Sequence, residues 1–165
     1  MVLDTEPPLL GKSSILLLTF RVVIGGFVAG YLPMTILASH PGRGAGWSAP
    51  AAVVGVCAVI SGAFFYLACA WDFAASGGFA PATIVRRGMY RAVRNPMYAA
   101  LVLVLLGESA LFGSWRLVGY AVGVWLVFHV IVLYEERGLA QAFGPDYDHY
   151  RDEVPRWIPW ARWSR

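Results

Sequence analysis

The chain alternates long apolar runs with short polar stretches. Four runs stand out, at residues 13–38, 49–70, 97–112 and 117–134. A helix of about 20 apolar residues crosses a hydrocarbon core, so the pattern predicts four membrane spans. The first run carries one charge, Arg21, close enough to its start to snorkel to the interface. The second has none, the third meets Glu108 late, and the fourth contains His129. Residues 71–93 contain Gly77, Gly78 and Pro81 and predict a broken connection rather than one helix. Gly26/Gly30 and Gly119/Gly123 repeat at four-residue spacing, which suits close helix pairing.

Composition agrees with this pattern. Of 165 residues, 58% are hydrophobic and 14% charged, against about 25% charged in an average soluble domain. Mean hydropathy is +0.59. A soluble core would not hide this much apolar surface, so a bilayer is expected to cover it. Asp4 and Glu6 precede the first run and no small-residue cleavage site follows it, so it predicts a retained span rather than a signal peptide. The length suits one integral membrane domain over residues 1–165, with its motifs at 88–160. Cys57 and Cys69 share one run. Twelve helical residues separate them by ~18 Å, too far to pair. They are expected to be buried apolar thiols, and no Cys or His stands near them at metal spacing.

The arginines set an orientation. The second connection holds Arg86, Arg87, Arg91 and Arg94, and the C-terminal stretch holds Arg137, Arg151, Arg156, Arg162 and Arg165. The other two connections hold Arg43 and Arg116. The positive-inside bias puts the second connection and both termini in the cytoplasm. The net charge of +3 is modest and sits beside membrane segments, so nucleic acid is not an expected partner.

Two spans of about 20 residues run out and back. Asn95 and Glu135 stand forty positions apart, so the ends of spans three and four meet at one face. This gathers Arg94, Asn95, Pro96, Tyr98, Tyr134, Glu135 and Glu136. Asn95 suits an N-cap and Pro96 the first helical turn. Carboxylates at the end of an apolar span must be paired or wet. Two readings stay open for Glu135 and Glu136: an ion pair with Arg91 or Arg94, or a ligand site. The aromatic tail at 138–165, with Phe143, Tyr147, Tyr150, Trp157, Trp160 and Trp163, fits the membrane interface and is placed to cover the cytoplasmic mouth of the bundle.

Residues Gly88 to Tyr98 read GMYRAVRNPMY. Tyr134-Glu135-Glu136 follows, then FGPDY from Phe143, Tyr150, Val154-Pro155 and Ile158-Pro159. This ordered set resembles the isoprenylcysteine carboxyl methyltransferase family and its related phospholipid methyltransferases, from Gly88 to the C-terminus. The resemblance implies an all-α integral membrane bundle of about four helices with a cytoplasmic C-terminal cofactor-covering segment. It implies an S-adenosylmethionine-dependent enzyme that methylates a lipophilic acceptor. Carried over by position, the cofactor contacts are Arg94, Asn95, Pro96, Tyr98, Glu135 and Glu136. Gly88 and Tyr90 lead into the site, and Tyr147 and Tyr150 close it. No catalytic residue is assigned. Asn95 stands where the family has histidine; this Asn-Pro form resembles bacterial members and implies the inner membrane. Glu153 stands where eukaryotic members place a cation before Val-Pro, which weakens the case for a prenylcysteine carboxylate as acceptor.

The cofactor's groups suit these side chains. A carboxylate binds its ammonium or ribose hydroxyls, Arg94 its carboxylate, and Tyr98 lies near its sulfonium. An amine acceptor would also have to lose a proton, for which Glu108 and His129 are candidates, although Glu108 reads better as structural. The partners implied are the bilayer and a lipid-modified or lipophilic substrate. Two other readings compete: a non-catalytic membrane accessory protein on the same fold, and a small transporter, which so few buried charges disfavour.

Overall fold

The computed structural model describes residues 12–39, 48–76 and 84–159, with side chains of the first helix from residue 19 onward. The bundle is built from α1 (Lys12–Gly26), a π-helical turn (Phe27–Tyr31), α2 (Leu32–Ala38), α3 (Ala49–Ala75), a 3₁₀ turn (Gly88–Arg91), α4 (Pro96–Phe112), α5 (Trp115–Phe143) and α6 (Pro145–Glu153). The described residues contain no strand. Gly77, Gly78 and Pro81, expected to break the second connection, lie outside the described residues, as do Trp160 and Trp163.

Three helical stretches are long and apolar enough to cross a membrane: Thr19–Ala38, Ala49–Ala75 and Trp115–Phe143. α4 is equally apolar but has 17 residues. The outer surface explains the composition. Trp115, Phe64, Val130 and Ile60 are each 65–70% exposed, which in water would be costly and in lipid is favourable. The protein is an integral membrane protein built as an all-α bundle.

The π turn has a chemical cause. Pro33 has no N–H to give back to the preceding turn, and the ladder slips by one residue, with Leu32 N–H bonding Phe27 O. That leaves the Val28 carbonyl without a helical donor. The Tyr120 hydroxyl on α5 donates to it at 2.8 Å, so a proline in one span is compensated by a tyrosine in another.

α3 and α4 pack antiparallel and very closely. A Cβ added at Gly55 would meet Leu111 N at 2.6 Å and Gly107 O at 2.7 Å. One at Gly107 would meet Val59 N at 2.8 Å, and one at Gly62 would meet Ala100 O at 2.9 Å. Backbone lies against backbone, which is how small residues hold membrane helices together. The pairs expected from spacing do not do this: Cβ atoms at Gly26, Gly30, Gly119 and Gly123 would meet nothing within 4 Å. The helical four-residue period marks one face, but only packing decides which face meets a neighbour.

Gly113, with φ of 60°, closes the turn from α4 into α5, a conformation that favours glycine. α5 then runs 29 residues, ~43 Å at 1.5 Å each, against a hydrocarbon core of about 30 Å. The fourth apolar run was expected to end at Tyr134; the helix continues to Phe143. Glu135 and Glu136 therefore sit within a helix that projects beyond the membrane core, and residues 138–143 belong to α5 rather than to a tail. α3 likewise runs past the expected Ala70 to Ala75. Cys69 is fully buried, but Cys57 lies on the exposed outer face rather than in the core.

Candidate functional site

The site is built where the ends of α3, α4 and α5 meet the loop before α4. Gly88 has φ of +52°, and a side chain there would run into the Asp72 carboxylate on α3. Asp72 also holds Arg87 at 3.3 Å, so the residue before this bend is fastened to the end of α3. The 3₁₀ turn that follows turns Tyr90 inward against Cys69, Ala70 and Met97. The Tyr150 hydroxyl on α6 donates to Tyr90 O at 2.7 Å. Burial pushes the phenols of both Tyr90 and Tyr150 far above their ordinary value of 10.0, so both stay neutral. Tyr147 and Tyr150 are buried together under this loop, their ring centroids 6.2 Å apart.

Asn95 and Pro96 begin α4 as expected, at the N-cap and first turn. The Asn95 side chain makes no capping bond, however. Its Nδ2 reaches out to Arg156 O at 3.5 Å, and the neighbouring Arg94 N donates to Pro155 O at 2.9 Å. The entry to α4 is thus joined to the segment after α6.

Adjacent residues on a helix point about 100° apart, and the two carboxylates divide accordingly. Glu136 faces inward. Arg94 Nη1 lies 3.4 Å from its Oε1, and Arg156 grips it through Nε at 3.0 Å and Nη2 at 2.7 Å. The Arg94 and Glu136 side chains are only 9% and 11% exposed. The Tyr147 pKa is raised, chiefly by burial and then by the nearby Glu136 charge, against the opposing effect of the Arg94 cation. The hydrogen bonds to Glu136 push Arg156 above its ordinary value, so it remains a cation. Glu135 faces the other way and accepts a bond from the Tyr98 hydroxyl at 3.0 Å. The Tyr98 ring packs on Phe128 at 4.7 Å.

The structure therefore brings Arg94, Asn95, Pro96, Tyr98, Glu135 and Glu136 to one end of the bundle, with Gly88, Tyr90, Tyr147 and Tyr150 around them. The ion pair open in the sequence exists: it joins Glu136 to Arg94, not to Arg91, whose Nε donates to Arg86 O at 3.1 Å. Glu153 pairs with Arg86 at 3.5 Å and His149 at 3.3 Å. Arg21 reaches the same end of the bundle, at the last turns of α3 and the first turn of α4. Its guanidinium lies 3.8 Å over the Phe73 ring and 3.4 Å from Met97 Sδ. Glu108 lies elsewhere on α4, with Oε2 buried and no hydrogen-bond partner among the described residues.

Sequence reasoning missed Arg156 and Trp157. Arg156 directly follows Val154-Pro155, so the cation sits just after the motif rather than before it. Trp157 stacks on His129 at 6.2 Å and lies 6.5 Å from Trp125. An arginine in an aromatic tail reads as membrane-interface charge, and only the fold shows it turned inward.

The donor set suits a zwitterion such as S-adenosylmethionine. Glu135 is exposed and has a second oxygen beyond the Tyr98 bond. Arg94 keeps Nε buried without a hydrogen-bond partner among the described residues, while its Nη1 faces Glu136. An acceptor for an ammonium and donors for a carboxylate thus stand at one membrane level.

The chain is similar to known proteins. Over 79 residues the chain is 31% identical to protein-S-isoprenylcysteine O-methyltransferase B of Arabidopsis thaliana, covering 47% of this chain and 40% of the relative. It is 32% identical over 77 residues to the Schizosaccharomyces pombe protein-S-isoprenylcysteine O-methyltransferase, covering 46% and 33%. The Xenopus laevis protein of that name matches at 31% over 81 residues, covering 48% and 28%. The match thus spans two fifths or less of these relatives' lengths. The family model for phospholipid methyltransferase matches residues 50–146, more than half of the chain, and so the chain belongs to the phospholipid methyltransferase family.

Proposed function

We propose that the protein transfers a methyl group from S-adenosylmethionine to a lipophilic acceptor at the cytoplasmic face of the membrane. The observation that carries this reading is the pair of links across the α4–α5 hairpin, Arg94 to Glu136 and Tyr98 to Glu135, in a chain of this family. The relatives named above act, by name, on isoprenylcysteine, which supports a lipid-modified acceptor.

When bound, the cofactor supplies an electrophilic methyl group for in-line displacement, so the protein's task is mostly positioning and exclusion of water. Glu135 binds the ammonium or ribose hydroxyls. Arg94, held in place by Glu136, donates to the carboxylate. Tyr98, fixed by its bond to Glu135 and its packing on Phe128, presents its ring near the sulfonium. Gly88 and Tyr90 shape the approach, Asn95 and Pro96 set the start of α4, and Tyr147 and Tyr150 close the site from α6. A carboxylate acceptor needs no base, being ionised at neutral pH already. The arginine-rich loop and C-terminal stretch support a cytoplasmic location for this end.

One observation favours a second reading, a non-catalytic accessory protein: Glu136 is already matched by two arginines, a complete structural arrangement without a ligand. Transfer of labelled methyl from S-adenosylmethionine to components of a host membrane extract separates the two. The enzyme reading expects a labelled lipophilic product with the wild-type protein and none with Glu135→Gln. Cofactor binding without any labelled product supports the accessory reading.

A further inference from the structure

Arg21 is the one charge in the first apolar run and takes no part in the mechanism described above. It belongs to a stretch that the family match does not reach, since that match begins at residue 50. A charged side chain within a membrane helix is costly, turns toward the bundle rather than the lipid, and marks function more often than packing.

The place of Arg21 is set by α3. Tyr66 and Phe73 stand seven positions apart on α3, two turns along one face. The Tyr66 hydroxyl donates to Arg21 O at 2.6 Å, which fixes the backbone of α1 against α3. Gly25 lies one turn further along α1, and a Cβ there would meet Tyr66 Cζ at 2.6 Å. The missing side chain is what lets α1 come so close. From this anchor the Arg21 side chain leans toward the N-terminal end of its own helix, as helical side chains do. That is the end of the bundle where the site lies. There the guanidinium covers the Phe73 ring at 3.8 Å, a cation–π contact.

The same guanidinium crosses to α4, with Nη1 3.4 Å from Met97 Sδ. Met97 is 6% exposed and packs with Cys69, Ala70 and Tyr90. It seats the first turn of α4 on the end of α3. Its neighbour in sequence is Tyr98, and successive helical side chains point about 100° apart. With Met97 held against α3, Tyr98 turns toward α5. Its hydroxyl meets Glu135 at 3.0 Å and its ring packs on Phe128. Arg21 also stands near enough for its charge to bear on the Tyr98 and Tyr90 hydroxyls. One side chain of the first span thus touches the last turns of α3 and the peg of α4 at once.

We propose that Arg21 is a positioning residue of the site: from the first span it clamps Met97, and through Met97 it sets the direction in which Tyr98 faces Glu135. The clamp rests on the geometry, and the ligand that Tyr98 meets rests on the methyltransferase reading. Methyl transfer is sensitive to such support, because a misplacement of about 1 Å far from the reacting atoms lowers a rate by about a hundredfold.

The test is a double-mutant cycle on cofactor affinity. Arg21→Met, Arg21→Lys, Tyr98→Ala and the double variant Arg21→Met/Tyr98→Ala are titrated with S-adenosylmethionine as full chains in detergent, each checked for folding by its unfolding transition. Arg21→Met should bind about tenfold more weakly. Arg21→Lys, which keeps a cation for the Phe73 ring, should recover most of that loss. Because Arg21 acts through Tyr98, the double variant should bind within about twofold of Tyr98→Ala alone. If Arg21→Met does not fold, Arg21→Gln takes its place in the cycle. Losses that add in full overturn the proposal, by giving Arg21 a general structural role. Unchanged affinity in Arg21→Met overturns it as well. So does a rise in affinity, which would make Arg21 an opposing charge rather than a support. If the folded wild type binds no S-adenosylmethionine, the methyltransferase reading falls and this role falls with it; wild-type binding with additive losses removes the positioning role alone.

Discussion

Arg156 holds Glu136 with two hydrogen bonds of 3.0 and 2.7 Å, from a segment that follows Val154-Pro155. Through this contact the segment after α6, the C-terminal part of α5 and the entry to α4 become one unit, because Arg94 shares the same carboxylate.

Removing that carboxylate should therefore cost more than removing either arginine. Glu136→Gln leaves two guanidiniums facing each other in a poorly solvated place. Breaking a buried pair from one side costs about 3 kcal/mol or more. Arg156→Ala should cost less, since Arg94 still neutralises Glu136. Thermal unfolding in a mild detergent checks this: Glu136→Gln should unfold at the lowest temperature, Arg156→Ala between it and the wild type.

The α3–α4 contact predicts a sharp division among glycines. Gly107→Ala and Gly55→Ala put a methyl group into backbone atoms of the neighbouring helix and should lower yield and unfolding temperature. Gly119→Ala and Gly123→Ala meet nothing within 4 Å and should be neutral, or stabilising by about 0.5–1 kcal/mol, because alanine suits a helix interior better. Equal behaviour of the two sets would show that α3 and α4 do not pack this way.

The buried tyrosines predict alkaline sensitivity. Tyr150 and Tyr147 have their pKa values raised in the folded protein, mainly by burial. A group whose folded value is raised contributes stability that is full below its unfolded value, here 10.0, and is lost as pH rises beyond it. Unfolding temperature should not respond to tyrosine ionisation between pH 6 and 9 and should fall above about pH 10. Tyr150→Phe should lose about 1 kcal/mol at neutral pH with the bond to Tyr90 O, and should show a shallower alkaline decline.

The two cysteines should react differently. Cys57 is exposed on the outer face of α3 and Cys69 is fully buried. In detergent an apolar maleimide should modify the native protein at Cys57 alone, and at both sites after unfolding. Mass spectrometry of the labelled peptides reads this directly.

Much of the fold was legible because hydropathy has a length scale. Runs of about 20 residues and a forty-residue return from Asn95 to Glu135 suffice to bring Arg94 and Tyr98 opposite the two glutamates. Helix ends were less legible. α5 continues for nine residues past Tyr134, since polar residues such as Arg137 and Gln141 are good helix formers, and hydropathy marks where the membrane stops rather than where the helix does. The packing glycines were not legible either: Gly55 and Gly107 carry no local signal that sets them apart from Gly119 and Gly123. Arg156 and Trp157 were hidden for another reason. Their role depends on a long-range return of the chain, and locally they match the aromatic, basic surroundings that mark an interface. The side-chain bond of Asn95 is part of the same return, so its capping position was readable and its partner was not.

We propose that the end of the bundle holding Arg94, Tyr98, Glu135 and Glu136 binds S-adenosylmethionine. Its most direct test is an equilibrium titration of the purified, folded protein in detergent with that cofactor, for the wild type and for Glu135→Gln. Saturable binding by the wild type, weakened about tenfold or more by the loss of a charged hydrogen-bonding partner, is the predicted result. No binding by the folded wild type, or the same affinity in Glu135→Gln, would contradict it.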